Sequence, residues 1–259
     1  MDPRFIVHNG HWEAAIDTAE DAIQTFKTLD PQLRRLKTLP YTYHAAIIAS
    51  LPQSVPGIYT VGGGRQIGKT TLLKQWMVHL MEIGILPKAI LFLTGDMIDD
   101  YHSLVRIMQD HLALMPDRAL RFLIIDEITY IKDWDRGIKF LADAGVLDQV
   151  VVMLTGSDLV LMQEARMRFP GRRGRADQVD FHIYPLSFAE FVHLKQPESK
   201  PTLQTLYDLF DMYLLHGGFL TAINDYASFQ HIEKHTLMTY TDWIRGDWIK
   251  RGRQESYLI

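Results

Sequence analysis

Gly63-Gly64-Arg65-Gln66-Ile67-Gly68-Lys69-Thr70-Thr71 is the stretch on which the reading of this chain turns. It lies between an apolar, strand-like run, Ile58-Tyr59-Thr60-Val61, and an apolar-periodic helix beginning near Lys69. Strand, glycine-rich loop and helix in that order are what a phosphate-binding P-loop requires. Glycines let the backbone curl until successive N–H groups point at one anion, and the helix N-terminus adds partial positive charge there. The spacing makes Gly63, Gly64, Arg65, Gln66, Ile67, Gly68, Lys69, Thr70 and Thr71 the expected nucleotide cradle. Lys69 would reach the β- and γ-phosphates as a point charge, and Thr70 would offer its hydroxyl to Mg²⁺. A glycine-rich turn that binds nothing is the competing reading. The full set of fixed positions in this context speaks against it.

Downstream, Leu72, Leu73, Trp76, Met77, Leu80 and Met81 form a broad apolar helix face, stopped by Gly84 and Pro87. That face is core packing. Residues 89–94 read as a buried strand, and Tyr101 to Leu114 as the next helix. Then Arg121-Phe122-Leu123-Ile124-Ile125 runs into Asp126-Glu127, two carboxylates at the C-terminal end of an apolar strand. Ligands of parallel α/β sheets bind beyond the carboxyl ends of the strands. Asp126 would hold Mg²⁺ through its water shell, and Glu127 would orient and deprotonate the attacking water. An acidic pair after an apolar run is weak alone. Behind a P-loop, with room between for one more strand and helix, it is strong. The extra strand and the glutamate point to the additional-strand, catalytic-glutamate division of P-loop ATPases, away from GTPase or kinase layouts.

Lys132 to Ala144 reads as a helix and residues 149–154 as a fourth buried strand tipped by Thr155-Gly156-Ser157. A small polar residue there, Ser157 in particular, can hydrogen-bond the γ-phosphate or the lytic water. Equally, Ser157 suits an N-cap for the segment that follows, and the two roles are compatible. Five arginines, Arg166, Arg168, Arg172, Arg173 and Arg175, crowd residues 166–175. One of them could neutralise charge that builds on the γ-phosphate, or the run could be a solvated basic loop. Val179 to Tyr184 reads as a fifth strand. Helical segments follow at Phe191–Leu194, Leu203–Leu215, Phe229–Tyr240 and Trp243–Lys250, with a polar stretch from Pro197 to Pro201 between. Upstream, His11–Leu29 and Tyr43–Leu51 read as helices. They either wall a base pocket or cover a sheet edge, and the lack of convergent polar groups favours the cover.

The chain has 259 residues, 47% of them hydrophobic and 22% charged, a balance ordinary for a soluble globular protein. A net charge of −4 gives no support for broad nucleic-acid binding. Without cysteine there are neither disulfides nor thiolate metal sites. No signal peptide and no membrane-spanning run stands out, so a cytoplasmic location is expected. No Asn-Lys-x-Asp tetrapeptide for reading guanine is present, which favours ATP.

Taken together, these motifs resemble a family of bacterial and archaeal AAA-type P-loop ATPases whose members often carry a C-terminal domain of unknown function. The resemblance rests on the loop above, where the family usually reads Gly-Pro-Arg-Gln-Val-Gly-Lys-Thr-Thr. It rests also on Asp126-Glu127-Ile128 with Trp134, Leu154-Thr155-Gly156-Ser157, Pro170-Gly171-Arg172, Pro185-Leu186-Ser187-Phe188-Ala189-Glu190-Phe191 and Gly217-Gly218-Phe219. It covers roughly residues 55–252. Departures are Gly64 for the usual Pro, Thr129 for Gln and Leu220 for Pro. The resemblance implies a three-layer α/β core with five parallel strands in the order 5-1-4-3-2. Residues 1–50 would be N-terminal helices, 51–188 the ATPase core and 189–259 a helical lid. It also singles out Arg172 as the arginine finger, leaving Arg173 and Arg175 as surface or partner contacts. The function implied is Mg²⁺-dependent hydrolysis of ATP to ADP and phosphate, driving a conformational switch with Lys69, Glu127, Arg172 and Ser157 as catalytic groups. The alternatives are a nucleotide-loaded adaptor that does not hydrolyse, and the ATPase module of a DNA-acting assembly. Relatives continue past the segment Asp247–Arg251, so this chain is a short form, a split product or a truncation. Its expected partner is the missing domain, a second subunit or a further copy of itself.

Overall fold

Five short strands, β1 (Gly57–Gly63), β2 (Ile90–Thr94), β3 (Arg121–Asp126), β4 (Val150–Thr155) and β5 (Asp180–Ile183), build one sheet. A computed structural model describes residues 1–13, 18–116, 119–156, 169, 171, 173–198 and 200–250, without the side chains of residues 247 and 250. Every strand pairing is parallel, and the order is β2-β3-β4-β1-β5. Taken from the other edge, that is the expected 5-1-4-3-2.

The alternation along the strands gives the sheet two buried faces. Leu91, Leu93, Leu123, Ile125, Val150, Val152 and Leu154 pack with α4 (Tyr101–Leu112) and α5 (Trp134–Asp143). Their alternates Ile90, Phe92, Phe122, Ile124, Val151 and Met153 pack with α1 (Ala19–Leu29), α2 (Pro31–Leu36) and α3 (Lys69–Glu82). Helix α3 is therefore the helix of the glycine-rich loop and also a core helix, with Trp76 and Met77 fully buried.

β2 is an edge strand, and the N-terminal segment covers it. The Asn9 side chain behaves as a strand residue would, donating to Phe92 O and accepting from Phe92 N, both at 2.8 Å. His11 Nε2 and Trp12 Nε1 both reach Ile90 O, at 2.9 and 2.6 Å. An open edge is a template for wrong pairing, and this segment occupies it. Two elements of the N-terminal region differ from the expected helices. In the described part of His11–Leu29, His11 and Trp12 belong to a short 3-10 turn, Gly10–Trp12, and the α-helix starts only at Ala19, where Thr18 caps by accepting from Asp21 N. Residues 46–50 form a short 3-10 turn, not a helix over Tyr43–Leu51. Asn9→Leu is expected to lower the unfolding free energy by about 2 kcal/mol in urea denaturation, because it leaves the Phe92 N–H and C=O buried without partners.

A buried ion pair ties this segment to α3. Lys74 Nζ lies 3.0 Å from Asp30 Oδ2 and donates to His8 O at 3.0 Å, over the Phe92 ring. Burial pushes the Lys74 ammonium down to about 8 against the support of Asp30. Burial alone would raise the Asp30 carboxyl, but His8, Lys74 and the Leu33 N–H together hold it below the usual range.

The chain divides into two units, one of residues 1–38 and 44–183, the other of residues 39–43 and 184–259. The second unit holds α6 (Phe188–Lys195), α7 (Leu203–His216), α8 (Leu220–Phe229) and α9 (Lys234–Lys250). The boundary of α8 and the unbroken α9 replace the expected helices at Phe229–Tyr240 and Trp243–Lys250. Its organising motif is legible in the sequence: Ser187 and Glu190 form a reciprocal capping box that starts α6. Gly218 then lies so close to Leu186 that an added Cβ would overlap the Leu186 backbone. Asn224 fastens residues 39–43 to this unit, accepting from Tyr41 N at 2.8 Å and donating to Tyr41 O at 3.0 Å. Among the described residues no helix is long and apolar enough to cross a membrane.

Candidate active site

Because β1, β3 and β4 are adjacent and parallel, their C-terminal ends bring Gly63, Asp126 and Thr155 to one edge of the sheet. The register aligns Val61 with Thr155 and Ile125 with Leu154. From Gly63 the chain turns through residues 64–68 into α3.

The loop has the conformation its composition demands. Gly68 has φ +97 and ends the loop in the left-handed region, as does Gln66 at φ +49. A side chain at Gly63 would run into Ile67 Cδ1 and lie 2.8 Å from Ile183 O, so only glycine fits where the loop leaves the sheet. Ile67 is therefore the packing residue of the loop, while Arg65 and Thr71 are half-buried around it. Gly64 is less constrained, since an added Cβ would meet only Ile67 Cγ2 at 3.7 Å. Gly68 offers α3 no side-chain cap, which leaves the first backbone N–H groups of the helix to an anion.

Lys69 folds back over this loop. Its ammonium donates to Gly64 O at 2.8 Å and Gly63 O at 3.3 Å, and the residue is 6% exposed. Burial pushes its pKa down, while the carboxylates of Glu127 and Asp126 pull it back up. A desolvated ammonium facing a loop of backbone N–H groups suits a polyphosphate.

The acidic pair is held by hydroxyls. Thr70 Oγ1 donates to Asp126 Oδ2 at 2.6 Å, and Thr155 Oγ1 donates to Asp126 Oδ1 at 2.5 Å. Thr155 Oγ1 also accepts from the backbone N–H of Glu127 at 2.9 Å. Glu127 itself is left-handed, φ 52 and ψ 43, a conformation costing a non-glycine residue about 1–3 kcal/mol. Its Oε2 is buried and has no hydrogen-bond partner among the described residues. Gly95, at the end of β2, sits where an added Cβ would collide with the Glu127 carbonyl oxygen. The hard oxygens of Thr70 and Asp126, in contact with each other, are a donor set that fits Mg²⁺.

The expected site residues at positions 63–71, 126 and 127 thus converge. Ser157 and Arg172 lie outside the described residues, as do Arg166 and Arg168. Thr155 holds the acidic pair from the tip of β4. Arg173 corrects an expectation: it is not a surface contact. Its guanidinium forms an ion pair with Asp180 and donates to Val179 O and Ile58 O at 3.2 and 3.3 Å, clamping β5 to β1. Gly95 carried no signal beyond a turn after a strand.

A family model described as an AAA domain matches residues 56–192, more than half of the chain. The chain belongs to the AAA domain family. The match spans the P-loop, both carboxylates and the Ser187 capping box of this AAA domain. Among curated relatives, an uncharacterized protein of Haemophilus influenzae is 28% identical over 172 residues, covering 64% of this chain and 40% of that protein. An uncharacterized protein of Methanocaldococcus jannaschii is 28% identical over 136 residues, covering 51% of this chain and 27% of its own length. The chain thus spans well under half the length of these relatives. Among solved structures, a Walker-type ATPase of Pyrococcus abyssi aligns with a TM-score of 0.47 at 15% identity, covering 77% of this chain and 72% of that one.

Proposed function

We propose that this AAA domain binds ATP with Mg²⁺ and hydrolyses it to ADP and phosphate, using the cycle to switch conformation. The observation that carries the reading is Glu127: a carboxylate with a buried oxygen that has no partner among the described residues, next to the pair formed by Asp126 and Thr70. Backbone N–H groups of residues 64–69 would cradle the phosphates, and the Lys69 ammonium would move from the loop carbonyls onto the β- and γ-oxygens. Thr70 and Asp126 would hold Mg²⁺, whose charge offsets that of the phosphate oxygens. Glu127 would accept a proton from the attacking water as that water bonds to the γ-phosphorus and the β–γ bridging bond breaks. An arginine of the 166–175 cluster, Arg172 by the family pattern, is proposed to meet charge on the transferring phosphoryl group.

The direct test is ADP formation by the purified chain with and without a chelator. Turnover that needs Mg²⁺ supports the reading, and bound ATP that stays intact favours the adaptor instead. Thr70→Ala is expected to weaken Mg·ATP binding by roughly tenfold, about the value of one hydrogen bond to a charged centre. Metal-free ATP binding should be nearly unchanged in titration calorimetry. Equal losses with and without Mg²⁺ would contradict the metal role of Thr70.

A further inference from the structure

We infer that Thr155 and Gly95 are positioning residues for Glu127, together fixing the backbone conformation that aims its carboxylate. The inference rests on the hydrolytic reading of Glu127 and extends it to two residues that would touch neither nucleotide nor water.

The Thr155 hydroxyl has one proton, and its use is settled by its neighbours. Asp126 Oδ1 at 2.5 Å can only accept, so the proton goes there, and the oxygen accepts the Glu127 N–H at 2.9 Å. Thr155 is fully buried, so water has no access to replace it. One hydroxyl therefore ties the Asp126 carboxylate to the peptide that carries Glu127. Asp126 is held on its other oxygen by Thr70, the first turn of α3. A chain of hydroxyl, carboxylate, hydroxyl and amide thus runs from the P-loop helix to the base.

Gly95 works on the opposite side of the same residue. In the left-handed region the Glu127 carbonyl turns toward β2, where it also accepts the N–H of Tyr130 at 3.1 Å. Any side chain at position 95 would overlap that carbonyl oxygen. Left-handed backbone is uncommon for residues other than glycine and persists where the surroundings determine it from several directions. Here it is determined from two strands, by a hydroxyl on β4 and by a missing side chain at the end of β2. If either is lost, the Glu127 peptide relaxes toward ordinary backbone angles. The carboxylate moves with it, while the loop and Lys69 stay in place.

Three variants test this: Thr155→Val keeps the shape without the hydroxyl, Thr155→Ser keeps the hydroxyl, and Gly95→Ala adds the colliding carbon. The measurements are the Kd of Mg·ATP, the single-turnover rate and hydrogen exchange of the Glu127 amide. Thr155→Val should bind Mg·ATP within ~3-fold of wild type, because Thr70 still holds Asp126 on its other oxygen and the loop and Lys69 are untouched. It should hydrolyse ATP ~100-fold more slowly, the scale of a misplaced catalytic group. Its Glu127 amide should exchange at least ~10-fold faster. Thr155→Ser should restore both the rate and the protection, and Gly95→Ala should be slow although its threonine is intact. Wild-type turnover in Thr155→Val or in Gly95→Ala overturns the inference. Thr155→Ser as slow as Thr155→Val overturns it too, since packing would then be the cause, as does loss of nucleotide binding in Thr155→Val. If the wild type binds ATP without hydrolysing it, the hydrolytic reading fails by itself. Unchanged amide exchange in Thr155→Val then overturns the positioning role.

Discussion

Replacing Lys69 by alanine is expected to abolish tight binding of triphosphate. The ammonium is already stripped of most of its water, held by Gly63 O and Gly64 O beneath the loop. A phosphate that displaces those carbonyls gains charge-assisted hydrogen bonds without much further desolvation of the lysine. Two such bonds at about 1.5–3 kcal/mol each amount to a factor of roughly 10² to 10⁴ in Kd. Alanine also frees the two loop carbonyls, so the loop itself loses a brace. Calorimetry with Mg·ATP measures the effect directly, and an unchanged affinity would remove the loop from the nucleotide site. A P-loop in which the lysine does nothing is not a P-loop.

Glu127→Gln should leave Mg·ATP affinity within a few-fold of wild type and slow hydrolysis by ~10²–10⁴, the usual cost of losing a general base. The amide has the shape of the carboxylate, and the backbone that aims it is set by Thr155, which the substitution does not touch. Only basicity is lost. Asp126→Asn contrasts with it, because Asp126 is the node joining Thr70 and Thr155. Its replacement should harm metal-dependent binding as well as turnover. Full turnover in Glu127→Gln would place the base elsewhere.

Much of this site was legible in the sequence because its signals are local. Gly63 and Gly68 announce a tight turn before a helix, and Asp126-Glu127 follows the apolar run Phe122–Ile125, which behind a P-loop reads as a core strand. The alternation of Phe122 with Leu123 and of Val151 with Val152 between the two sheet faces is likewise written into short runs. What stayed hidden joins residues far apart in the chain. Asn9 acts on Phe92, which lies 83 positions away, and nothing about an asparagine in an N-terminal segment predicts that it pairs with an edge strand. Lys74 is fully buried against Asp30, 44 positions upstream, a pairing that no local pattern shows. Thr155 and Gly95 look like the ends of two strands. Only the parallel order β2-β3-β4 brings them to either side of Glu127. Arg173 differs from the surface or partner contact that the resemblance implies for the same reason, since its partner Asp180 lies on a neighbouring strand.

The most direct measurement is a single-turnover experiment with the purified chain in excess over ATP and Mg²⁺, run side by side for wild type and Glu127→Gln. The structure leads us to expect that both proteins capture the nucleotide, that the wild type converts the bound ATP to ADP and phosphate, and that Glu127→Gln holds it intact. Equal conversion by the two proteins, or none by either, would contradict the assignment of Glu127 as the base of a hydrolytic site.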